Sequence, residues 1–346
     1  MKKIKVFLGG FVNSTNAQNL NCKAIADYLN KNKFKVYALR THFGNNEYFN
    51  YKTFFCFKPI SITYHFGFLW GIIKSDILYL PKHVDTPIWV LRFAKFLKRP
   101  IFTTIEGVVI DVNQKYNLVN LFSSKHKMQK HFSYFDAIFG INQNIINNAR
   151  KTIKIQNKSL SLGVDIERDF IYSKKKLRRI VYVGGLIKRK RVKEFIKLAG
   201  HFPDLHFDIV GDGPEKNRLL ELATKNINFK GFLEHDDIKS FLKVQDLLFL
   251  PSKSEGFPKV ILEAASVGIP SIVYDSYGAS EWMQNNKNGF IVKDFHNVID
   301  IIDKLIKNPH ILHSISINVI ELARTYDWNI IIKEWEKVIV NLFNEK

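Results

Sequence analysis

PSKSEGFPKVILEAASVGIP, residues 251–270, governs how the rest of the chain is read. It follows an apolar run, Asp246–Leu250, that suits a buried strand. Glu255 and Glu263 stand with seven residues between them. Pro258 has the fixed φ and missing N–H suited to a first helical turn. The pattern predicts a helix from there to about Val267, with Gly268 as a left-handed cap. A loop that turns from a strand end into a helix start aims backbone N–H groups near Phe257 and Lys259 outward. The helix dipole adds positive potential there, so an anion site is expected. Both carboxylates would reach the same ligand.

The same alternation continues outward. Upstream come a strand at Arg179–Val183, a Gly184-Gly185 turn, a helix at Val192–Gly200, a strand at Phe207–Val210 and the turn GDGP at 211–214. A helix at Glu215–Lys225, a strand at Ile227–Phe229 and a helix at Asp236–Lys243 follow, with strand Ser271–Tyr274 and a mainly helical C-terminus downstream. The first half repeats the scheme. Strands read at Ile4–Leu8, Phe34–Leu39, Ile77–Leu80, Ile101–Ile105 and Ala137–Ile141, with Gly9-Gly10 closing the first and helices near Asn19–Asn32 and Thr86–Leu97. Strand–helix–strand repeats imply parallel sheets with right-handed crossovers. The turn-rich stretch 161–170 and the charge run YSKKKLRR mark a linker. The fold class is therefore α/β, with two Rossmann-like, doubly wound domains, 1–162 and 163–328. Ligands of such sheets bind at the carboxyl ends of the strands, which places the expected site in a cleft between the domains.

Composition narrows the function classes. The chain has 346 residues, 46% hydrophobic and 24% charged, enough for two packed cores. No run approaches the roughly 18 apolar residues of a membrane span. The nearest, Phe66–Leu80, is cut by Lys74, Ser75 and Asp76. The start reads as a strand rather than a signal peptide. Two cysteines, Cys22 and Cys56, make neither a disulfide framework nor a metal cluster and fit a reducing compartment. The net charge of +20 is uneven: residues 1–162 hold 24 Lys/Arg against 7 Asp/Glu, a balance of +17. An AT-rich coding sequence would explain many lysines but not a scarcity of acids in one half. A functional basic surface is the better reading. Two segments mix cations with apolar residues, RFAKFLKR at 92–99 and the SSKHKMQKH segment holding His126 and His131. Both suit docking on anionic lipid. There is no GxGxxG fingerprint and no nucleophile elbow, which argues against a dehydrogenase and a serine hydrolase. Paired carboxylates beside an anion site accept hydrogen bonds from hydroxyls, as a sugar nucleotide would offer.

Together these motifs resemble the retaining glycosyltransferase family 4, of GT-B fold (glycosyl transferases group 1). The resemblance rests on E-G-F-P-x-x-x-x-E preceded by P-S and followed by A-x-x-x-G-x-P. It extends through LGVD at 162–165, VGGLIKRK at 183–190, GDGP, FKGFL at 229–233, Gly278 with Glu281, NGF at 288–290 and Tyr326-Asp327-Trp328. It implies a catalytic role for Glu255 at the donor sugar and for Lys190 at the departing diphosphate. It implies donor contacts from the helix start at Phe257, Pro258 and Lys259, from Glu263 at the ribose, and from Leu233 near the base. Gly9 and Gly10 would close over the donor, and Gly185 stands in the phosphate turn. The C-terminal helix, 329–346, would pack back on the first domain. The implied donor is a UDP- or GDP-linked sugar, with no cofactor and, lacking an Asp-x-Asp triplet, no metal. The implied acceptor is a glycan or lipid-linked precursor of bacterial surface polysaccharide. It would be bound by the first domain at the inner face of the cytoplasmic membrane, with no nucleic acid.

The chain departs from the family twice. Gly185 occupies the usual arginine position, leaving Lys188, Arg189 or Arg191 to supply the second charge. Glu106-Gly107 replaces a His-Gly pair after strand Ile101–Ile105, which puts Glu106 at a strand end and in the candidate catalytic set. Two other functions share these features: a GT-B sugar-nucleotide epimerase, and a non-catalytic module that binds anionic lipid.

Overall fold

The computed structural model describes residues 2–44, 48–110, 117–166 and 176–345, without the side chain of Asp236. Part of the expected linker, 167–175, lies outside them. The chain divides into a first unit, Met1–Leu162 with Trp328–Lys346, and a second, Gly163–Asp327.

Each unit is built on one parallel sheet of six strands. The first holds β1 (Ile4–Phe11), β2 (Phe34–Thr41), β3 (Lys52–Cys56), β4 (Ile77–Tyr79), β5 (Ile101–Ile105) and β6 (Ala137–Gly140), in the order β3-β2-β1-β4-β5-β6. The second holds β7 (Arg179–Val183), β8 (His206–Val210), β9 (Ile227–Gly231), β10 (Leu247–Leu250), β11 (Ser271–Tyr274) and β12 (Phe290–Val292), in the order β12-β11-β10-β7-β8-β9. Both are doubly wound, as the alternation predicts. The winding reverses between β1 and β4 in one unit and between β7 and β10 in the other, and ligands of such sheets bind where it reverses. Helices cover both faces of a parallel sheet, so its strands read as unbroken apolar runs. Accordingly β4, β6, β10 and β11 are buried along their whole lengths.

Local chemistry sets the helix starts. Asn16 caps Ala17–Tyr28 by accepting from Asn19 N, Asn142 caps Gln143–Arg150 from Ile145 N, and Asp294 caps Phe295–Lys307 from Asn297 N. The last helix, Trp328–Asn344, belongs to the first unit. Its Trp335 is fully buried, meets the Tyr79 ring edge-on at 5.0 Å and donates to Ser161 O at 3.0 Å.

Among the elements that escape the sequence reading are β3, β12 and the helices Ile60–Lys74, Leu118–Leu121 and Gln143–Arg150. The first of these helices contains Gly67 and Gly71, poor helix formers that look like breaks. They are there for packing: a Cβ on Gly71 would stand 2.3–2.5 Å from the Phe7 ring. Gly9 and Gly10 also differ from expectation. They do not follow the first strand but lie within β1, and added Cβ atoms would come 2.6 Å from Leu80 Cδ2 and 2.7 Å from Cys22 Sγ.

VGG and GDGP lock the ends of β7 and β8 together. Gly184 N donates to Val210 O at 3.0 Å, and a Cβ on Gly211 would lie 2.0 Å from Gly184 O. Gly211 has φ +136°, a conformation that suits only glycine. Gly211→Ala should therefore destabilise the chain by roughly 2–4 kcal/mol, from strain and overpacking together, read as a lower urea midpoint.

Candidate functional site

The site is assembled where the second sheet reverses its winding. After β7 the chain turns at Gly184-Gly185, held by the Tyr182 hydroxyl, which donates to Gly185 O at 2.9 Å. A short 3-10 turn, Lys188–Lys190, follows. Arg191 then takes a left-handed φ of 54° and the helix Val192–His201 begins. After β10 the chain runs through 251–258 into the helix Lys259–Ser266. The two loops are tied by Lys253 N donating to Arg189 O at 3.0 Å.

Glu255 sits at their junction, 8% exposed. Lys190 Nζ lies 2.5 Å from its Oε1, and Arg189 Nη1 lies 3.4 Å from its Oε2. The Arg189 guanidinium also donates to Ser254 O. Burial would push the Glu255 carboxyl up, but Lys190 and then Arg189 outweigh it and hold it below the ordinary carboxylate value. The choice among three cations thus falls on Arg189. Arg191 instead pairs with Glu194 and lies over the Tyr274 ring at 4.9 Å, and Lys188 is exposed. Gly185 is exposed too, and a Cβ there would find only Asp212 O, at 4.0 Å. Tyr182 and Tyr277 flank the cluster. Burial first, and the Glu255 charge second, push both hydroxyls up, so they remain protonated donors.

The arrangement offers a ligand an ionised, nearly buried acceptor with two cations beside it. Glu263 forms a separate cluster. Its Oε1 is 3.7 Å from His235 Nδ1, on the helix His235–Leu242. Burial raises its carboxyl, opposed by His235 and Lys259, and the net direction is up. Pro258, at φ −74°, is the N-cap, so the helix starts at Lys259, one residue later than expected. Gly268 takes the left-handed cap at φ +75°. The Phe257 ring is occupied by packing against Trp282 at 4.9 Å and Tyr326 at 5.3 Å. Leu233, just after β9, is half-buried against the core.

The remaining candidates lie in the first unit. Glu106 directly follows β5, and its Oε1 accepts from Asn21 Nδ2 at 2.9 Å. Asn21 is fully buried on the helix Ala17–Tyr28. Gly9 lines a cavity of about 560 Å³ at the carboxyl end of β1, with Phe11, Tyr64, Phe68, Lys82 and Asp85 also in its wall. Burial lowers the Lys82 ammonium pKa, and Asp85 opposes the shift. One surface expectation is overturned. His131 is 2% exposed, with its ring 4.9 Å from that of Phe122, and burial pushes it down to about 4. On its helix, Lys125–Phe132, Met128 and Phe132 are buried as well, so its apolar side faces the core and its outer side is plainly cationic.

Structure thus joins Lys190 and Glu255 and adds Arg189. It pairs Glu263 with His235 and Glu106 with Asn21. His235 and Asn21 carry no signal in the sequence, because each is drawn in by a fold contact between distant segments.

The two doubly wound sheets make this a chain of GT-B fold. Residues 164–321 match the family described as Glycosyl transferases group 1. An N,N'-diacetylbacillosaminyl-diphospho-undecaprenol alpha-1,3-N-acetylgalactosaminyltransferase of Campylobacter jejuni is 27% identical over 82% of this chain and 84% of its own length. An uncharacterized glycosyltransferase of Haemophilus influenzae is 25% identical over 63% of this chain, which spans 59% of that relative. Among solved structures, Anabaena HepE in complex with UDP and glucose superposes with a TM-score of 0.75 at 16% identity, covering 98% of this chain and 100% of HepE. Sucrose-phosphate synthase from Thermosynechococcus elongatus gives 0.79 at 13% identity, with both chains fully covered. Among the described residues, no cluster of His, Cys, Asp or Glu is arranged to hold a metal, and no helix is long and apolar enough to cross a membrane.

Lys190→Met would leave Glu255 with Arg189 alone, at 3.4 Å. It should lower stability at pH 7 by roughly 1–3 kcal/mol, less than the loss of a sole partner would cost. The Glu255 carboxyl is held below its ordinary 4.5, so its contribution is present above that pH and fades as pH falls beneath it. Glu255→Gln should flatten that acid limb in a thermal melt.

Proposed function

We propose that the chain is a retaining glycosyltransferase that moves a sugar from a nucleoside diphosphate to a glycan or lipid-linked acceptor. The observation that carries this reading is Glu255, buried and ionised beside Lys190 and Arg189 at the carboxyl ends of β7 and β10. Binding of an anion with many hydroxyls is what that cluster suits. Glu255 would accept hydrogen bonds from the donor sugar, while Lys190, Arg189 and the start of the helix Lys259–Ser266 face the diphosphate. Glu263 would grip the ribose, with Phe257, Pro258 and Lys259 framing the phosphates, Gly185 in the phosphate turn and Leu233 near the base.

The chemistry follows the charge. The bond from the anomeric carbon to the diphosphate breaks, and negative charge grows on the departing oxygen. Lys190 and Arg189 stabilise that charge, an effect worth several kcal/mol in a water-poor site. The acceptor oxygen attacks the same face of the sugar, and its proton passes to the departing phosphate oxygen. No protein nucleophile is required, and the cations take the part a metal would otherwise play. Retention, metal independence and a membrane-linked acceptor are parts of this proposal. The last is supported by the diphospho-undecaprenol acceptor in the name of the Campylobacter jejuni relative. The first unit would bind the acceptor, with the cavity walled by Tyr64, Lys82 and Asp85 as its seat. Gly9 would meet the bound substrates there, Gly10 would support it from within β1, and Glu106 would face an acceptor or donor hydroxyl. The setting proposed is peripheral, at the inner face of a bacterial cytoplasmic membrane, in surface polysaccharide synthesis.

A thermal-shift screen of UDP, GDP, ADP and their sugars, with EDTA present, tests the donor site, because a ligand of the native state raises the melting temperature. One base series should raise it, and Glu263→Ala should abolish the shift. No shift for any series refutes the donor reading. With the matching donor, Glu255→Gln and Lys190→Ala should each lower kcat by about 10²–10³. Turnover of the sugar nucleotide without acceptor would instead indicate an epimerase.

A further inference from the structure

The helix Ile60–Lys74 buries Thr63, Gly67, Phe68, Gly71 and Ile72 against the first sheet. Its outer side carries Ile62, Phe66, Leu69 and Ile73, exposed by 55%, 56%, 37% and 52%. Spacings of four, three and four residues put these side chains in one stripe. A helix face in water normally carries charges there, and a contiguous apolar patch marks an interaction surface. Phe57, 56% exposed, stands at the helix start, where Thr63 Oγ1 donates to its carbonyl at 2.6 Å. On the neighbouring helix Ile88–Phe96, Trp89 is 37% exposed and its indole N–H donates to His65 Nδ1 at 3.0 Å. From Tyr48 to Ser75 the sequence has three lysines, Lys52, Lys58 and Lys74, and no acid.

We propose that this face is where the chain docks on an anionic lipid surface, with the helix lying in the plane of the interface and its lysines among the headgroups. The inference rests on the membrane-associated reading above and gives it a location. Apolar side chains flanked by lysines, without an acid, match a surface that is apolar inside and negative at its edge. The helix has 15 residues. At about 22 Å it is too short for a hydrocarbon core of about 30 Å, so it lies on the membrane. A second copy of the chain suits the face poorly, because residues 1–162 hold 24 Lys/Arg against 7 Asp/Glu and two such faces repel. The same helix also contributes Ile60, Ser61, Tyr64 and Phe68 to the cavity wall. Docking would therefore hold the cavity beside the layer in which a lipid-linked acceptor resides. Neither segment that the sequence marked for lipid supplies such a stripe. On RFAKFLKR, Phe96 alone among the large apolar residues is exposed, and the exposed side of Lys125–Phe132 lacks large apolar residues.

The test is flotation of the full chain with phosphatidylcholine vesicles, with and without phosphatidylglycerol, at physiological salt and without sugar nucleotide. Wild type should bind the anionic vesicles and not the neutral ones. The double variant Phe66→Glu/Ile73→Glu should bind at least about tenfold more weakly, since each change replaces an apolar side chain that enters the interface with a charge that anionic headgroups repel. Phe96→Glu should bind as wild type does. Undiminished binding by the double variant, or equal binding to both vesicle types, overturns the proposal. So does self-association in sedimentation equilibrium that the double variant abolishes, which would make the face a contact between copies. Should the double variant melt early, quenching by brominated lipid supplies the second readout. The difference between wild type and Trp89→Phe isolates the Trp89 signal, which should be quenched, and an unquenched Trp89 overturns the proposal. No donor is present in any arm, so a failure here leaves the donor reading standing, and a failed donor screen leaves this one standing.

Discussion

A carboxylate as enclosed as Glu255 stays ionised only if cations are held against it, and two of them are. That requirement organises the second unit. Lys190 and Arg189 reach Glu255 because a tight turn after β7 brings a basic 3-10 segment to the end of β10. The turn is tight because Gly184 and Gly211 let the ends of β7 and β8 approach closely, and because the Tyr182 hydroxyl holds Gly185 O. The strands are neighbours because the doubly wound order reverses between β7 and β10. Each level, from winding to turn to charge pair, exists to place the next.

The ion pair also has a chemical meaning beyond stability. A buried pair contributes little net folding free energy, because desolvation offsets most of the attraction. In the proposed reaction its value would lie in fixing charges in advance of a ligand. Cations already in place need no reorganisation when negative charge develops nearby. Glu263 shows the opposite tuning. Its carboxyl is raised by burial and faces a histidine, an arrangement suited to hydrogen bonding rather than to charge.

The first unit solves a different problem with the same winding. Its helix Ile60–Lys74 uses two glycines to press one side onto Phe7 and Leu39, which frees the other side to be apolar without serving the core. The sequence registers only a hydrophobic stretch broken by Lys74, Ser75 and Asp76. Composition cannot tell an inward residue from an outward one on a helix that is apolar nearly all round. Burial distinguishes Phe68, at 3% exposed, from Phe66, at 56%.

What the sequence determined by itself is local and periodic. Ile101–Ile105, Arg179–Val183 and Ser271–Tyr274 read as strands with the bounds they take, because buried parallel strands need continuous apolar runs between turn residues. Glu255, Glu263 and Gly268 could be singled out because a helix start and its cap demand particular residues at fixed spacing, and Lys190 through the family resemblance of VGGLIKRK. Tertiary structure alone decided which of three adjacent cations meets Glu255, that His131 is core and not surface, that Gly9 and Gly10 sit inside a strand, and that Asn21 holds Glu106 across 85 residues of sequence. These outcomes depend on contacts between segments far apart in the chain. Residue order specifies them only through the whole fold, so no local pattern carries them.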